Sequence, residues 1–153
     1  MAIKDLSAIY KGEQLQAAGI LFVALDTCNI LTVYRGKDVV DPCCWCGVGG
    51  KIEKGESPQD AAIREAQEEI GYSGPVQLIK AYVYDKPGLM FHNFIGVVDE
   101  QFFPKLNWES HGYAWTHIEN VPHPWHYGLE AVLTDSHSRQ ALNSFVNQST
   151  ITE

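Results

Sequence analysis

At 153 residues, 45% hydrophobic and 20% charged, the chain has the size and composition of one globular domain spanning 1-153, enough to bury roughly two thirds of the surface its unfolded form exposes. A formal charge of -8 opposes non-specific attraction to nucleic acid or to anionic membrane, which needs clustered Lys and Arg, so a phosphate-bearing ligand would call for a bound divalent cation. No stretch has the apolar run of a secretory leader or the roughly 20 apolar residues of a membrane span, which sets the expectation of a cytoplasmic protein.

In chain order, Gln16 to Leu25 (QAAGILFVAL) and Ile30 to Tyr34 are apolar, β-branched runs separated by the turn-like Asp26-Thr27, and they predict a hairpin or adjacent strands. Arg35 closes the second strand before the polar loop GKDVVDP. There its guanidinium is either a solvated strand end or a bidentate grip on a phosphate. Cys43, Cys44 and Cys46 fall in the stretch CCWC; a zinc site would need a fourth ligand from a second paired motif, which is not evident, so reduced, half-buried thiols beside Trp45 are expected.

Ser57 before Pro58, with Asp60 three residues on, is a helix start, and Gly71 is the residue type that closes a helix in the left-handed conformation. Ala62, Ile63, Ala66 and Ile70 recur at spacings of three and four and mark the expected buried stripe, which leaves the carboxylates to another face. VQLIKAYVYD and LMFHNFIGVVD predict two strands joined at Lys86-Pro87-Gly88, Pro104 to Gly112 a polar loop, and Tyr113-Ala114-Trp115 a short strand. The stretch VPHPWHYG must be irregular, and helices around Leu129 to Leu133 and Arg139 to Val146 would close the domain. Strands and helices mixed without regular alternation predict an α+β fold, a sheet covered by helices.

Chemistry concentrates between Gly49 and Tyr72, which holds five glutamates. Glu65, Glu68 and Glu69 stand at i, i+3 and i+4 and so project into one sector of the helix, where like charges repel by a few tenths of a kcal/mol per pair. Such a cluster is either a solvated acidic face, with Arg64 and Glu68 as an i, i+4 pair, or a set of oxygen ligands for a hard divalent cation. Gly49-Gly50 directly upstream lets the backbone approach a ligand or donate a carbonyl. Glu56 and Arg64 bracket the helix start, where an ion pair would fix the loop to the helix.

Gly50, Glu56, Arg64, Glu65, Ala66, Glu68, Glu69 and Gly71 resemble, at matching spacing, the signature of the Nudix hydrolases, G-x5-E-x7-R-E-U-x-E-E-x-G-U, where U is a bulky aliphatic residue. Trp45, Glu109 and Trp115 fit the same pattern, so the resemblance covers most of the chain. Departures are the small Ala66, Tyr72 in place of the final aliphatic residue, and Gly47-Val48 where many members have Leu-Pro. The resemblance implies an α/β/α sandwich with a mixed sheet, and Mg²⁺- or Mn²⁺-dependent hydrolysis of a nucleoside diphosphate derivative such as ADP-ribose, a dinucleoside polyphosphate or a dinucleotide cofactor. It assigns Glu68, Glu69 and the Gly49 carbonyl to the metal, Glu65 to the metal or to general-base work, Arg64 to orienting the carboxylates, and Glu56 to anchoring Arg64, with Gly50 and Gly71 structural. Glu109 is a second candidate base or a third metal ligand.

Trp125 and Tyr127, in a Pro-rich loop that cannot bury them in regular structure, are the candidates for stacking on a base, with His123 and His126 as further polar contacts. The expected partners are a small nucleotide and, in a homodimer, a second copy of the chain, with no membrane and no stable nucleic-acid complex. Two other readings compete: a nucleotide-sensing Nudix domain without catalysis, and removal of pyrophosphate from an RNA 5′ end, for which the acidic balance leaves no basic track.

Overall fold

The computed structural model describes residues 14–146. Seven strands, β1 (Leu15–Ala24), β2 (Ile30–Arg35), β3 (Trp45–Cys46), β4 (Val48–Lys51), β5 (Gln77–Lys86), β6 (Leu89–Val98) and β7 (Ser110–Thr116), form one mixed sheet. Among the described residues the helices are α1 (Pro58–Ile70), α2 (Tyr127–Thr134) and α3 (Ser136–Val146), with a 3-10 turn at Ile118–Asn120. Among the described residues no helix is long and apolar enough to cross a membrane.

β1 is the axis of the sheet. It runs parallel to β6 along its whole length, from Leu15 opposite Leu89 to Ala24 opposite Val98. Its other edge is divided: Ala17 to Ile20 pair with β4, and Val23 pairs with Ile30 of β2. Alternate residues of β1 enter different cores, as the two-residue period of a strand requires. Ala18, Ile20, Phe22 and Ala24 pack with Ala62, Ala66 and Ile70 of α1, whereas Leu21 and Val23 pack with Leu129, Val132 and Leu142 of α2 and α3. A strand covered on both faces reads as a continuous apolar run, which is why QAAGILFVAL shows no alternation. The result is an α/β/α sandwich on a mixed sheet.

α1 begins where Ser57, in extended conformation, accepts a hydrogen bond on its side-chain oxygen from the Asp60 amide at 3.1 Å. It ends at Gly71, whose φ of 68° is open to glycine at little cost and whose N–H donates to Gln67 O. The buried face of α1 differs from the expected stripe. Ile63 is 38% exposed, and the buried residues are Ala61, Ala62, Glu65, Ala66, Glu69 and Ile70. Two neighbouring residues per turn meet the sheet, so Glu65 and Glu69 lie within the buried face instead of on another one. Tyr72, the aromatic departure just past the helix, stacks on Phe102 with ring centres 4.3 Å apart and meets Phe22 edge-on at 5.4 Å, and so fills the space at the end of α1.

The Ser57 cap is the local device that fixes where α1 starts. Ser57→Ala is expected to lower stability by about 1 kcal/mol, read as a lower urea midpoint at an unchanged slope; an unchanged midpoint would show that tertiary packing alone sets the helix start.

Candidate active site

Arg64 leaves the first half of α1 and reaches five acceptors. Its Nε and Nη2 donate to the two carboxylate oxygens of Glu56 at 2.7 and 3.0 Å, a fork-to-fork pair. Nη2 also donates to Lys51 O at 2.9 Å, and Nη1 donates to Glu65 Oε1 at 3.0 Å and to Glu68 Oε2 at 3.2 Å. The bond from Arg64 holds the Glu56 carboxyl below its ordinary range. One guanidinium thereby ties β4, the loop before the helix and two helix carboxylates into a single unit.

Gly50 faces this unit. A side chain placed there would meet the Glu65 carboxylate at 2.6 Å, so the close approach requires glycine. Next to it, the Gly49 amide donates to Glu69 Oε1 at 3.3 Å. Glu65 and Glu69 are 4% and 2% exposed, whereas the Glu68 side chain is 45% exposed and turned onto Arg64.

The third buried carboxylate, Glu109, is 2% exposed. Asn107 places it: the Asn107 amide N–H donates to Glu69 O at 3.0 Å, its side-chain Nδ2 donates to Glu68 O at 3.1 Å, and its Oδ1 accepts from the Glu109 amide at 3.0 Å. The Lys105 N–H donates to Ile70 O at 2.8 Å. The segment before β7 is thus pinned to the last turn of α1, and Glu109 sits within electrostatic reach of Glu69. Burial lifts the Glu69 pKa to about 8, the charges of Glu109 and Glu65 adding to the rise and the Gly49 amide opposing it.

Among the described residues no three His, Cys, Asp or Glu side chains converge in a way that could hold a metal ion. The donor chemistry does fit a hard divalent cation. The donors are carboxylate oxygens, two of them buried, on Glu65, Glu68 and Glu69, and burial with like charge holds Glu69 in a protonated form that a cation would reverse.

The other expected site residues are placed as follows. Arg35 is 2% exposed, and its guanidinium donates to Val40 O and, at 2.8 Å, to Asp41 O. The guanidinium is therefore neither a solvated strand end nor an open grip on a phosphate but a clamp on its own loop. Trp125 and Tyr127 line a cavity of about 360 Å³ together with Asp41, Cys44, His126 and Glu130. His126 is buried; its Nδ1 accepts from the Gly128 amide at 3.0 Å, which caps α2, and its Nε2 faces Asp41 Oδ2 at 3.4 Å. Burial, with Arg35 nearby, presses its pKa down to about 2, in keeping with a ring that must stay neutral to accept at Nδ1. His123 is exposed and stacks on Trp125 at 4.3 Å. The cysteines are free thiols, with Cys46 buried, Cys44 half-buried and Cys43 exposed.

Sequence reasoning missed Asn107, although an Asn two residues ahead of a candidate Glu is the signal of a side chain that bonds its own backbone. It also missed Asp41, which only the folded loop brings to His126.

The sequence profile of the NUDIX domain matches residues 14–135. The chain is 34% identical over 82 residues to the mouse (Mus musculus) ADP-sugar pyrophosphatase, a match that covers 52% of this chain and 38% of that protein. The chain thus spans well under two thirds of that relative's length. A Nudix hydrolase of M. smegmatis, RenU, superposes with a TM-score of 0.73 at 22% identity over 84% of this chain and 86% of the other. A C. elegans Ap4A hydrolase superposes at 0.60 with 17% identity, covering 90% of this chain and 97% of that one, and both likenesses are of fold. The fold and the Arg64-centred carboxylates define a Nudix architecture. With the profile spanning most of its length, the chain belongs to the Nudix hydrolase family.

The raised pKa of Glu69 has a measurable cost. The native state keeps that proton to about pH 8 while the unfolded chain releases it near 4.5, so between these values the unfolded state binds fewer protons and stability falls as pH rises. In chelator, the melting temperature is expected to decline across this window, and Glu69→Gln to flatten the decline. An equally steep fall in the variant would place its origin elsewhere.

Proposed function

We propose that the protein is a divalent-cation-dependent pyrophosphohydrolase that cleaves the phosphoanhydride of a nucleoside diphosphate joined to a second group. The observation that carries this reading is the gathering of the buried Glu65, Glu69 and Glu109 beside Gly49 and Gly50, all organised by Arg64 and Asn107. A helix built for stability alone would not bury two carboxylates on one face and bring a third against them. The named activity of the mouse relative, on ADP-sugars, lies in the same substrate class.

Glu68, Glu69 and the Gly49 carbonyl, with Glu65, would hold Mg²⁺ or Mn²⁺. When bound, such a cation neutralises the anhydride and acidifies a water. Arg64 keeps Glu65 and Glu68 in place, and Glu56 keeps Arg64 in place. Glu65 or Glu109 takes the proton of the attacking water. The water oxygen forms a bond to phosphorus as the bridging P–O bond breaks, giving two phosphate-bearing products. Trp125 and Tyr127, which line one cavity, are the candidates to stack on the base. Retention of every charged position of the signature favours hydrolysis over sensing.

Phosphate-group release from a panel of nucleoside diphosphate sugars, dinucleoside polyphosphates and dinucleotides, with Mg²⁺ and with chelator, tests this reading; absence of cation-dependent turnover for every compound would sink it. Glu69→Gln is expected to lower turnover by orders of magnitude at saturating Mg²⁺. For the base, Glu65→Gln and Glu109→Gln are compared: the residue that takes the proton should cost roughly 10²-fold in turnover and remove the acidic limb of the pH profile. An acidic limb kept by both variants would assign the proton to neither. Asn107→Ala, which frees the segment carrying Glu109, should lower kcat by about 10-fold or more with a smaller change in KM; a kcat equal to wild type would remove Asn107 from positioning.

A further inference from the structure

Three of the four tryptophans are occupied within the fold. Trp45 packs on Tyr34 with ring centres 5.1 Å apart, and Trp115 donates its indole N–H to Phe102 O at 2.9 Å and meets that ring edge-on. Trp125 donates to Val121 O at 3.3 Å and stacks on His123. Trp108 is different. It is 62% exposed, and among the described residues it has neither a side-chain hydrogen bond nor a ring contact. An indole left in water forgoes the burial that stabilises the other three, and no contact among the described residues offsets that loss.

The position of Trp108 is fixed from both sides. Asn107, immediately before it, is bonded to Glu69 O and Glu68 O on the last turn of α1, and Glu109, immediately after it, accepts at its carbonyl from the Gly36 N–H at 2.9 Å. The Ser110 N–H donates to Asn107 O at 3.4 Å and the Glu109 N–H to Asn107 Oδ1 at 3.0 Å, which makes residues 107–110 a turn with Trp108 at its corner. Consecutive Cα atoms are about 3.8 Å apart. Trp108 is thus the direct neighbour of Glu109, which is buried and acts on Glu69 through its charge. The turn passes from solvent to the buried carboxylates within one residue, and the indole stands at that passage.

We propose that Trp108 is the platform for the second group of the substrate, and that this group is a sugar ring joined directly to the distal phosphate. The match is one of chemistry. A pyranose packs a face of C–H groups on an aromatic face and carries oxygens that accept, while an indole offers an apolar face and a nitrogen that only donates. It is also one of reach. In the reading above Glu109 serves the anhydride, so the ring within reach of its neighbour is the one attached to the phosphate itself, not a second base lying beyond a ribose. The proposal rests on that hydrolytic reading and adds the residue that recognises the second group.

The test compares ADP-glucose, the β-methyl ester of ADP and diadenosine diphosphate, which share the anhydride and its charge and differ in the second group. Each is assayed with Mg²⁺ in wild type, Trp108→Ala and Trp108→Phe. In wild type, kcat/KM for ADP-glucose is expected to exceed that for the methyl ester by about 10-fold or more. Trp108→Ala should bring this ratio to within about threefold, through KM rather than kcat, whereas Trp108→Phe keeps an aromatic face and should retain most of it. A ratio untouched by Trp108→Ala overturns the proposal. So does a proportional loss on all three compounds, carried by kcat, which would assign Trp108 to the turn that holds Glu109. A loss on diadenosine diphosphate as large as that on ADP-glucose would give the platform to a base and overturn the sugar. Should none of the three be turned over, the hydrolytic reading fails and calorimetry decides the platform: tighter binding of ADP-glucose than of the methyl ester in wild type, lost in Trp108→Ala, sustains it, and equal or absent binding of the two overturns it.

Discussion

The site depends on one guanidinium holding together groups that repel each other. Arg64 bonds Glu56 with both arms of its fork and reaches Glu65, Glu68 and the carbonyl of Lys51 with the remaining donors. The Arg64–Glu56 pair is bidentate and mostly enclosed, and Arg64 serves above all as a geometric device. It fixes three carboxylates relative to β4 without neutralising Glu69, which has no contact with it and retains a raised proton affinity. That arrangement leaves a defined position where positive charge is wanted.

Around this hub the backbone is arranged to bring residues distant in sequence to one place. Gly50 gives Glu65 room, Gly49 donates its amide to Glu69, and Asn107 uses the exposed carbonyls of the last turn of α1 to anchor the segment that carries Glu109. The end of a helix leaves carbonyls without intrahelical partners, and here they serve as the docking rail for the third carboxylate. The left-handed Gly71 turns the chain away in time for that segment to reach them.

The parts legible in the sequence were those whose cause is local. Ser57, Pro58 and Gly71 fix both ends of α1, the strand runs are bounded by turn residues, and the charged signature lies within one helix and the loop before it. The parts that were not legible depend on tertiary approach. Ile63 has the periodicity of a core residue but faces solvent, because the sheet accepts two neighbouring residues per helical turn and Glu65 takes the place an apolar residue would have had. Arg35 stands at a strand end in sequence, and only the return of the loop through Asp41 to Cys44 encloses it. The cavity beside Tyr127 joins Asp41 to Glu130 across nearly ninety positions, a distance over which no spacing rule operates.

β1 has both faces and both edges covered, with β6 along one edge and β4 and β2 sharing the other. Its amides can reach solvent only when the sheet itself comes apart, so their hydrogen exchange should report global opening, unlike that of the exposed loops. Gly49, which positions Glu69, is paired to Gly19 of this same strand. The two glycines of β4 are therefore tied to a strand that opens only with the sheet, and the geometry that Glu69 meets persists as long as the fold does.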